Sequence, residues 1–426
     1  MSIEMSVFLE FMHSPTPCAI TNSKLLLLCG GVDIDFAGIA ELYPDLGLHY
    51  KTSKSVVSFR HLDVPAEYRA LMIDELLLSD GRRTSIVKTY ISRSAPVVLY
   101  CANGRLQLRA KKSGVVVPVS VDLVELDDFS RADPEFPDKN VFLNRIGVDR
   151  VGLLPFDGCS LWMNGMQCAF CGSAPRKTAP GGLPNALDAH RQYGGDYRSW
   201  WGDQKDSALR TIRRSAARLV EAPLKPHCHF MYMSENLPDY DYMYEIAIEL
   251  SAAVNEIIPL SGVDSYFNAM PPASERYLGL IRDAGYRSFM TNMEFLRRED
   301  FEAFCPGKHA AYPDGYGHMM NMLTSAVEVF GAGNVRTNFV LTDEQVPHLK
   351  DGVQTLAREG IVSDVSVFFP RKASRWRNRS APTIDTILDF SLFLARVYHE
   401  YEFRPYCCRV SSRSSIMNEL SCLLQE

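Results

Sequence analysis

The sequence predicts an α/β protein in which strands and helical crossovers alternate, preceded by a smaller α+β domain. Three observations predict it. From about residue 150 onward, apolar strand-like runs and amphipathic helix-like runs alternate through six βα units. Before that point the texture differs, with alternating, β-branched runs around the hairpin turn Asn103-Gly104. With 426 residues and 46% hydrophobic composition, the chain can bury a full-sized core and divide into a large and a small domain.

The elements follow in order. Pro65 to Ser79 reads as a helix, with proline suited to its first turn and Tyr68, Leu71, Met72, Leu76 and Leu77 as its apolar contacts. Ser85 to Leu106 and Leu108 to Leu126 read as strands, and Pro134 to Pro137 as a linker. Arg150 to Phe156 is the first strand of the repeating part, and Asp206 to Glu221 its helix, ended by Pro223. His227 to Met233, Asn255 to Gly262 and Tyr286 to Glu294 are the next strands. Between them lie the helices Tyr240 to Val254, capped by Asp239, and Ala273 to Ala284, closed by Gly285. Tyr316 to Phe330 is a long helix, Val335 to Leu341 the fifth strand and Asp343 to Arg358 the fifth helix. Val362 to Phe369 is the sixth strand, stopped by Pro370, and Thr383 to Tyr401 the sixth helix. The organisation expected is a small α+β domain over 1–145, a βα domain over 146–382 and a C-terminal helix and tail over 383–426.

Six such units argue for parallel strands. They could close as a barrel or splay as an open sheet, and a complete eight-fold barrel of about 250 residues would need two more units. In either case ligands gather beyond the carboxyl ends of the strands. There, directly after the first strand, stands Asp157-Gly158-Cys159-Ser160-Leu161-Trp162-Met163-Asn164-Gly165-Met166-Gln167-Cys168-Ala169-Phe170-Cys171-Gly172. Cys168-x-x-Cys171 is a chelating pair, and Cys159 adds a third thiolate from the same loop. A closed structural zinc site takes four ligands, and so does an ordinary electron-transfer cluster. Three thiolates on a four-iron cluster leave one iron open. The long connection that follows, Gly172 to Lys205, holds Tyr193, Tyr197, Trp200 and Trp201 and reads as a lid over that rim.

Composition bounds the partners. A net charge of −6 and a pI near 6.0 give no footprint for duplex nucleic acid or an anionic membrane. Leu25 to Cys29 is far too short to span a bilayer, and Met1 to Met12 lacks the basic flank of a secretory leader. Eleven irregularly placed cysteines suit a reducing cytoplasm, where they more often bind metal than form disulfides.

On these residues the chain resembles the radical S-adenosylmethionine enzymes, over roughly residues 150 to 370. The resemblance implies a partial (β/α)6 TIM-like barrel with a [4Fe–4S] cluster on Cys159, Cys168 and Cys171. It also implies that the amino and carboxylate groups of S-adenosylmethionine occupy the open iron. Reductive cleavage then gives methionine and a 5′-deoxyadenosyl radical that abstracts hydrogen from the substrate. The family's usual spacing is C-x3-C-x2-C, whereas this chain has C-x8-C-x2-C, an expansion of the kind found in the catalytic subunit of Elongator.

Further positions carry over. Phe170 stands where the family places an aromatic whose backbone faces adenine. Met233-Ser234-Glu235 stands where a small-small-acid motif receives the methionine amino group, although it lacks the glycines. Thr291-Asn292-Met293-Glu294 is similar to the polar positions that bind the ribose, with Asn292 and Glu294 as the contacts. Phe304-Cys305-Pro306-Gly307-Lys308 looks like a run in several biotin-synthase-like members. Arg336 and Asn338 fall where a carboxylate-binding cation and a ribose contact are common, and Phe369 at the edge that holds adenine.

The expected function is therefore radical chemistry on a small molecule in the cytoplasm, with a [4Fe–4S] cluster and S-adenosylmethionine as cofactors. An electron donor such as flavodoxin or ferredoxin would be its protein partner, and neither membrane nor nucleic acid is expected. Two alternatives stay open. The basic run Arg371 to Arg379 would be the footprint of a tRNA-modifying enzyme. Alternatively, the three cysteines could bind zinc with a distant fourth ligand, among Cys407, Cys408, His227 and His229, in a non-enzymatic interaction protein.

Overall fold

The structure, a computed structural model, describes residues 19–44, 73, 75–81, 83–124, 143–146, 150–153, 159–172, 193–221, 229–233, 239–371, 374–404 and 412–424. Contacts divide the chain into two units. The first comprises Met1–Leu126, Val340–Asp351 and Val365–Glu426, and the second Asp127–Phe339 and Gly352–Asp364.

In the first unit, helix α1 (Ala19–Gly30) is followed by strand β1 (Asp33–Ile34), helix α2 (Phe36–Leu42), and strands β2 (Glu75–Ser79) and β3 (Thr84–Lys88). Strands β4 (Val97–Ala102), β5 (Arg105–Ala110) and β6 (Ser120–Leu123) complete two three-stranded sheets, ordered β1-β4-β5 and β3-β2-β6. The β4–β5 hairpin turns at Asn103 and Gly104, with φ of 52° and 70°, the left-handed pair a tight two-residue turn demands. One expectation is corrected: Glu75–Ser79 is not the end of a helix but strand β2, paired antiparallel with β3 and β6. Leu76 and Leu78 are fully buried while Leu77 is half-buried, the two-residue period of a strand rather than the helical spacing read there. The rest of that predicted helix, 65–72, lies outside the described residues.

The second unit carries most of a seven-stranded sheet. Its elements begin with β7 (Leu143–Ile146), β8 (Arg150–Leu153), the short helix α3 (Ser160–Met163) and α4 (Tyr197–Glu221). Strand β9 (His229–Met233), α5 (Tyr240–Asn255), β10 (Asp264–Asn268), α6 (Arg276–Asp283) and β11 (Ser288–Met290) follow. Then come α7 (Arg298–Phe304), α8 (Pro306–His309), α9 (Gly315–Phe330), β12 (Val335–Leu341), α10 (Val346–Arg358) and β13 (Ile361–Val367). Helices α11 (Ile384–Glu400) and α12 (Met417–Leu424) close the chain in the first unit, where Lys24 on α1 pairs with Glu419 on α12 at 2.8 Å.

The sheet order is β13-β12-β11-β10-β9-β8-β7. Strands β8 to β12 pair in parallel with their sequence neighbours, and β7 is antiparallel to β8. The order runs with the sequence, without the reversal that marks a doubly wound sheet. Parallel strands need crossovers, and the apolar faces of α5, α6 and α9 supply the cover: Met243, Ile246, Leu250, Leu278, Ile281, Met319 and Leu323 are all buried. Tyr232 on β9 stacks on Phe267 of β10 at 4.2 Å between ring centroids. Each such fully buried ring contributes on the order of 1.5–3 kcal/mol.

Several predicted boundaries move for identifiable reasons. Asn255 to Gly262 is not a strand: α5 runs on through Asn255, and Leu260–Gly262 is a 3-10 turn entered from Pro259. Proline cannot donate to a ladder, and the Asn255 side chain accepts the Leu260 N–H at 2.8 Å, so the strand starts at Asp264. The strand predicted over Tyr286 to Glu294 spans only Ser288–Met290, and α4 begins at Tyr197 instead of Asp206. Tyr197, Trp200 and Trp201 thus lie buried on a helix, with the Trp201 indole N–H donated to Glu249 at 3.1 Å. Most of the predicted lid, 173–192, falls outside the described residues.

Candidate metal and cosubstrate site

The cysteine loop follows β8 and is held by its own backbone. Cys159 opens α3, where the Trp162 N–H reaches the Cys159 carbonyl at 3.0 Å and the Met166 N–H reaches Leu161 O at 2.8 Å. Cys168 and Cys171 close a turn, with Cys171 N–H to Cys168 O at 3.1 Å. The segment after β11 then grips the loop from outside. Ala169 N–H donates to Phe304 O at 2.7 Å, and Gly307 N–H to Met166 O at 3.1 Å. A Cβ at position 307 would stand 2.5 Å from that same Met166 carbonyl, so only glycine permits the approach.

Cys159, Cys168 and Cys171 form no disulfide and line one cavity of roughly 200 Å³. Leu161, Trp162 and Phe170 add the apolar part of its wall, and Asn268, Ala269 and Met270 extend it beyond the end of β10. From the end of β11 come Thr291, Asn292 and Glu294, and from α8 comes Lys308. Every strand-end contribution comes from the carboxyl side of its strand, the edge where parallel sheets place their ligands.

The polar floor is an ion pair. The Lys308 ammonium donates to the Glu294 carboxylate at 2.9 Å and to the Asn292 carbonyl at 2.7 Å. Burial works against the Lys308 charge, but Glu294 and the sulfurs of Cys168 and Cys305 outweigh it, so its pKa lies above lysine's ordinary value. Glu294 has φ of 65°, donates its N–H to Asn338 O at 2.8 Å and bridges to Phe339. A left-handed non-glycine residue of this kind costs on the order of 1–3 kcal/mol and clusters at functional sites. The Cys305 thiol, fully buried, leans on Cys168; burial first, then that contact, pushes it well above a free thiol. The Tyr240 phenol is pushed up too, by burial and by the sulfur of Cys159.

Trp162 Nε1, Thr291 Oγ1 and Asn292 Oδ1 are buried polar atoms of the wall with no hydrogen-bond partner. Each such group costs about 1–3 kcal/mol unless a partner is supplied. The residues present fit a thiolate-bound cluster. Three cysteines outside any disulfide share the cavity, and a buried cation stands within electrostatic reach of Cys168. Among the described residues no three His, Cys, Asp or Glu side chains converge as a single-ion site. A cluster takes its thiolates on different irons, so they need not converge on one point.

Of the positions singled out in the sequence, Cys159, Cys168, Cys171, Phe170, Asn292 and Glu294 meet at this cavity. Arg336 and Asn338 are not on its wall: Arg336 pairs with buried Asp364 at 3.2 Å, and the Asn338 carbonyl accepts from Glu294. Phe369 belongs to the first unit, where it stacks on Tyr90 at 6.2 Å with the Arg371 guanidinium 5.1 Å from its centroid. Ser234, Glu235, Cys407 and Cys408 lie outside the described residues. Lys308, Trp162 and Asn268 had no assigned role in the sequence. Their only signals were the Pro-Gly-Lys run for Lys308 and a place inside the cysteine loop for Trp162.

Fold and site together define an α/β protein with a thiol-lined cavity at the carboxyl edge of a parallel sheet. The chain resembles the radical S-adenosylmethionine superfamily, whose cofactors are a [4Fe–4S] cluster and S-adenosylmethionine. No family model matches the chain. A curated relative, bacteriochlorophyllide c C-7(1)-hydroxylase of Chlorobaculum limnaeum, is 26% identical over 138 residues, 32% of this chain and 34% of that protein. The match thus spans about a third of the relative's length. Among solved structures, methylornithine synthase (PylB) is 12% identical over 60% of this chain and 63% of its own, with a TM-score of 0.39. The maturase HydG of Carboxydothermus hydrogenoformans is 11% identical over 59% and 52%, with a TM-score of 0.39. TsrM of Kitasatospora setae, a radical S-adenosylmethionine methyltransferase with cobalamin and a [4Fe–4S] cluster bound, is 12% identical over 54% and 38%, with a TM-score of 0.35. No described helix is long and apolar enough to cross a membrane.

Proposed function

We propose that the chain is a radical S-adenosylmethionine enzyme acting on a small molecule. The observation that carries this reading is the meeting of Cys159, Cys168 and Cys171 with Thr291, Asn292 and Glu294 in one cavity. A [4Fe–4S] cluster on the three thiolates would supply the electron that cleaves S-adenosylmethionine reductively. The sequential strand order supports reading the sheet as a partial barrel. Thr291 and Asn292 offer unpartnered oxygens to a sugar's hydroxyls, and Lys308 fixes the Glu294 carboxylate while its charge offsets the nearby thiolate. Leu161, Phe170 and Met270 keep the wall apolar, which excludes water. Substrate identity, electron donor and cytoplasmic setting extend this reading, with flavodoxin or ferredoxin as the class of donor.

The test is anaerobic purification followed by iron and sulfide analysis and incubation with reductant and S-adenosylmethionine. A brown protein with about four irons per chain that releases 5′-deoxyadenosine is expected on this cluster chemistry. A colourless protein holding zinc overturns the reading.

A further inference from the structure

Resting on that reading, we propose that Trp162, in the inserted stretch between Cys159 and Cys168, donates its indole N–H to the carboxylate of S-adenosylmethionine. The short helix α3, Ser160–Met163, follows Cys159 directly and brings Trp162 onto the cavity wall.

The indole nitrogen is a donor only. It is buried on that wall without a hydrogen-bond partner, so a bound ligand that brings an acceptor would satisfy it. Among oxygens, a carboxylate gains most from an N–H in apolar surroundings, because the bond is charge-assisted. Leu161, Phe170 and Met270 supply those surroundings.

The nearby cations are committed elsewhere. Lys308 is held by Glu294 and by the Asn292 carbonyl, and Arg336 is held by Asp364 away from the wall. The other two orphans divide the work. Asn292 Oδ1 only accepts, so it repels a carboxylate and suits a hydroxyl or ammonium donor, while Thr291 Oγ1 serves a hydroxyl either way. Among these three orphans, Trp162 Nε1 is therefore the one matched to an anion.

The experiment measures binding of two probes to the full, anaerobically reconstituted chain: S-adenosylmethionine and its decarboxylated counterpart, S-adenosyl-3-methylthiopropylamine. Wild type and Trp162→Phe are compared after iron and sulfide per chain are shown to match. Trp162→Phe is expected to weaken S-adenosylmethionine roughly ten- to a hundredfold and to leave the decarboxylated probe within about twofold. Equal weakening of both probes, or none of either, overturns the role of Trp162. Wild type that takes up iron and sulfide yet binds neither probe overturns the functional reading beneath it. Should Trp162→Phe take up less iron, replacement of Trp162 by benzothienylalanine keeps the ring shape, removes the N–H and decides the same comparison.

Discussion

Lys308 and Glu294 form an ion pair at 2.9 Å with each side chain only 9% exposed, directly on the wall of the thiol-lined cavity. The two come from different elements, α8 and the segment after β11, and the pair ties them together. A buried pair of this kind contributes less to stability than to placing charge, because desolvation offsets most of the attraction. Here the charge sits within reach of the sulfurs of Cys168 and Cys305.

Breaking the pair from one side leaves an uncompensated buried charge. Lys308→Met or Glu294→Leu alone should therefore cost about 3–5 kcal/mol, whereas the double variant should recover most of that loss. Urea unfolding of the four proteins measures it. A double variant as unstable as the singles would mean that the pair is needed for packing and not merely for charge balance.

The three thiols should act as a set. Changing Cys159, Cys168 or Cys171 to alanine is expected to remove most iron and sulfide and to abolish reductive cleavage of S-adenosylmethionine. Cys159→Ala is the informative variant, since eight residues separate it from Cys168. Full iron content in that protein would show that the expanded spacing is not a cluster motif.

Arg336 was expected at the cosubstrate from the resemblance, yet its guanidinium is engaged by Asp364 at 3.2 Å, off the cavity wall. Arg336→Ala should cost about 3–5 kcal/mol by removing the cation paired with a buried carboxylate. In the Arg336→Met/Asp364→Leu protein, affinity for S-adenosylmethionine should stay within about twofold. A tenfold loss there, measured by equilibrium binding, would return Arg336 to the cosubstrate.

Much of the frame was legible because local rules and tertiary demands agreed. β12 occupies Val335–Leu341, the bounds read for the fifth strand, and Asp239 caps α5 by accepting the Tyr242 N–H at 3.0 Å. The site was legible as far as its chemistry was local: the cysteines, and the polar end of β11. What escaped depends on partners distant in sequence. The partner of Lys308 is 14 residues away, and the role proposed for Trp162 rests on its N–H being buried without a partner. β2 escaped because leucines satisfy both periods until neighbouring strands choose one.

The aromatic residues once assigned to a lid lead to a further expectation. Tyr197, Trp200 and Trp201 are buried on α4, and Trp201 is hydrogen-bonded to Glu249. Amide exchange over 197–201 should accordingly be slow and change little when S-adenosylmethionine is added. Strong added protection confined to that stretch would indicate that the helix forms part of a closing element.

The closest packing at the site involves Gly307. Its N–H donates to Met166 O at 3.1 Å, and an added Cβ would meet that oxygen at 2.5 Å and Leu161 Cδ2 at 2.8 Å. The carbonyl is backbone and cannot rotate aside, so the cysteine loop itself must move. Gly307→Ala should cost about 1–3 kcal/mol, as overpacking does. The larger effect should fall on the site, because Met166 lies two residues from Cys168, and the neighbouring anchor, Ala169 N–H to Phe304 O, would be pulled in the same direction. Iron per chain should drop well below wild type while the far-ultraviolet circular dichroism stays native. Gly307→Ala with full iron and unchanged affinity for S-adenosylmethionine would show that α8 can shift without disturbing the thiols, and that the two anchors are not what holds the loop in place.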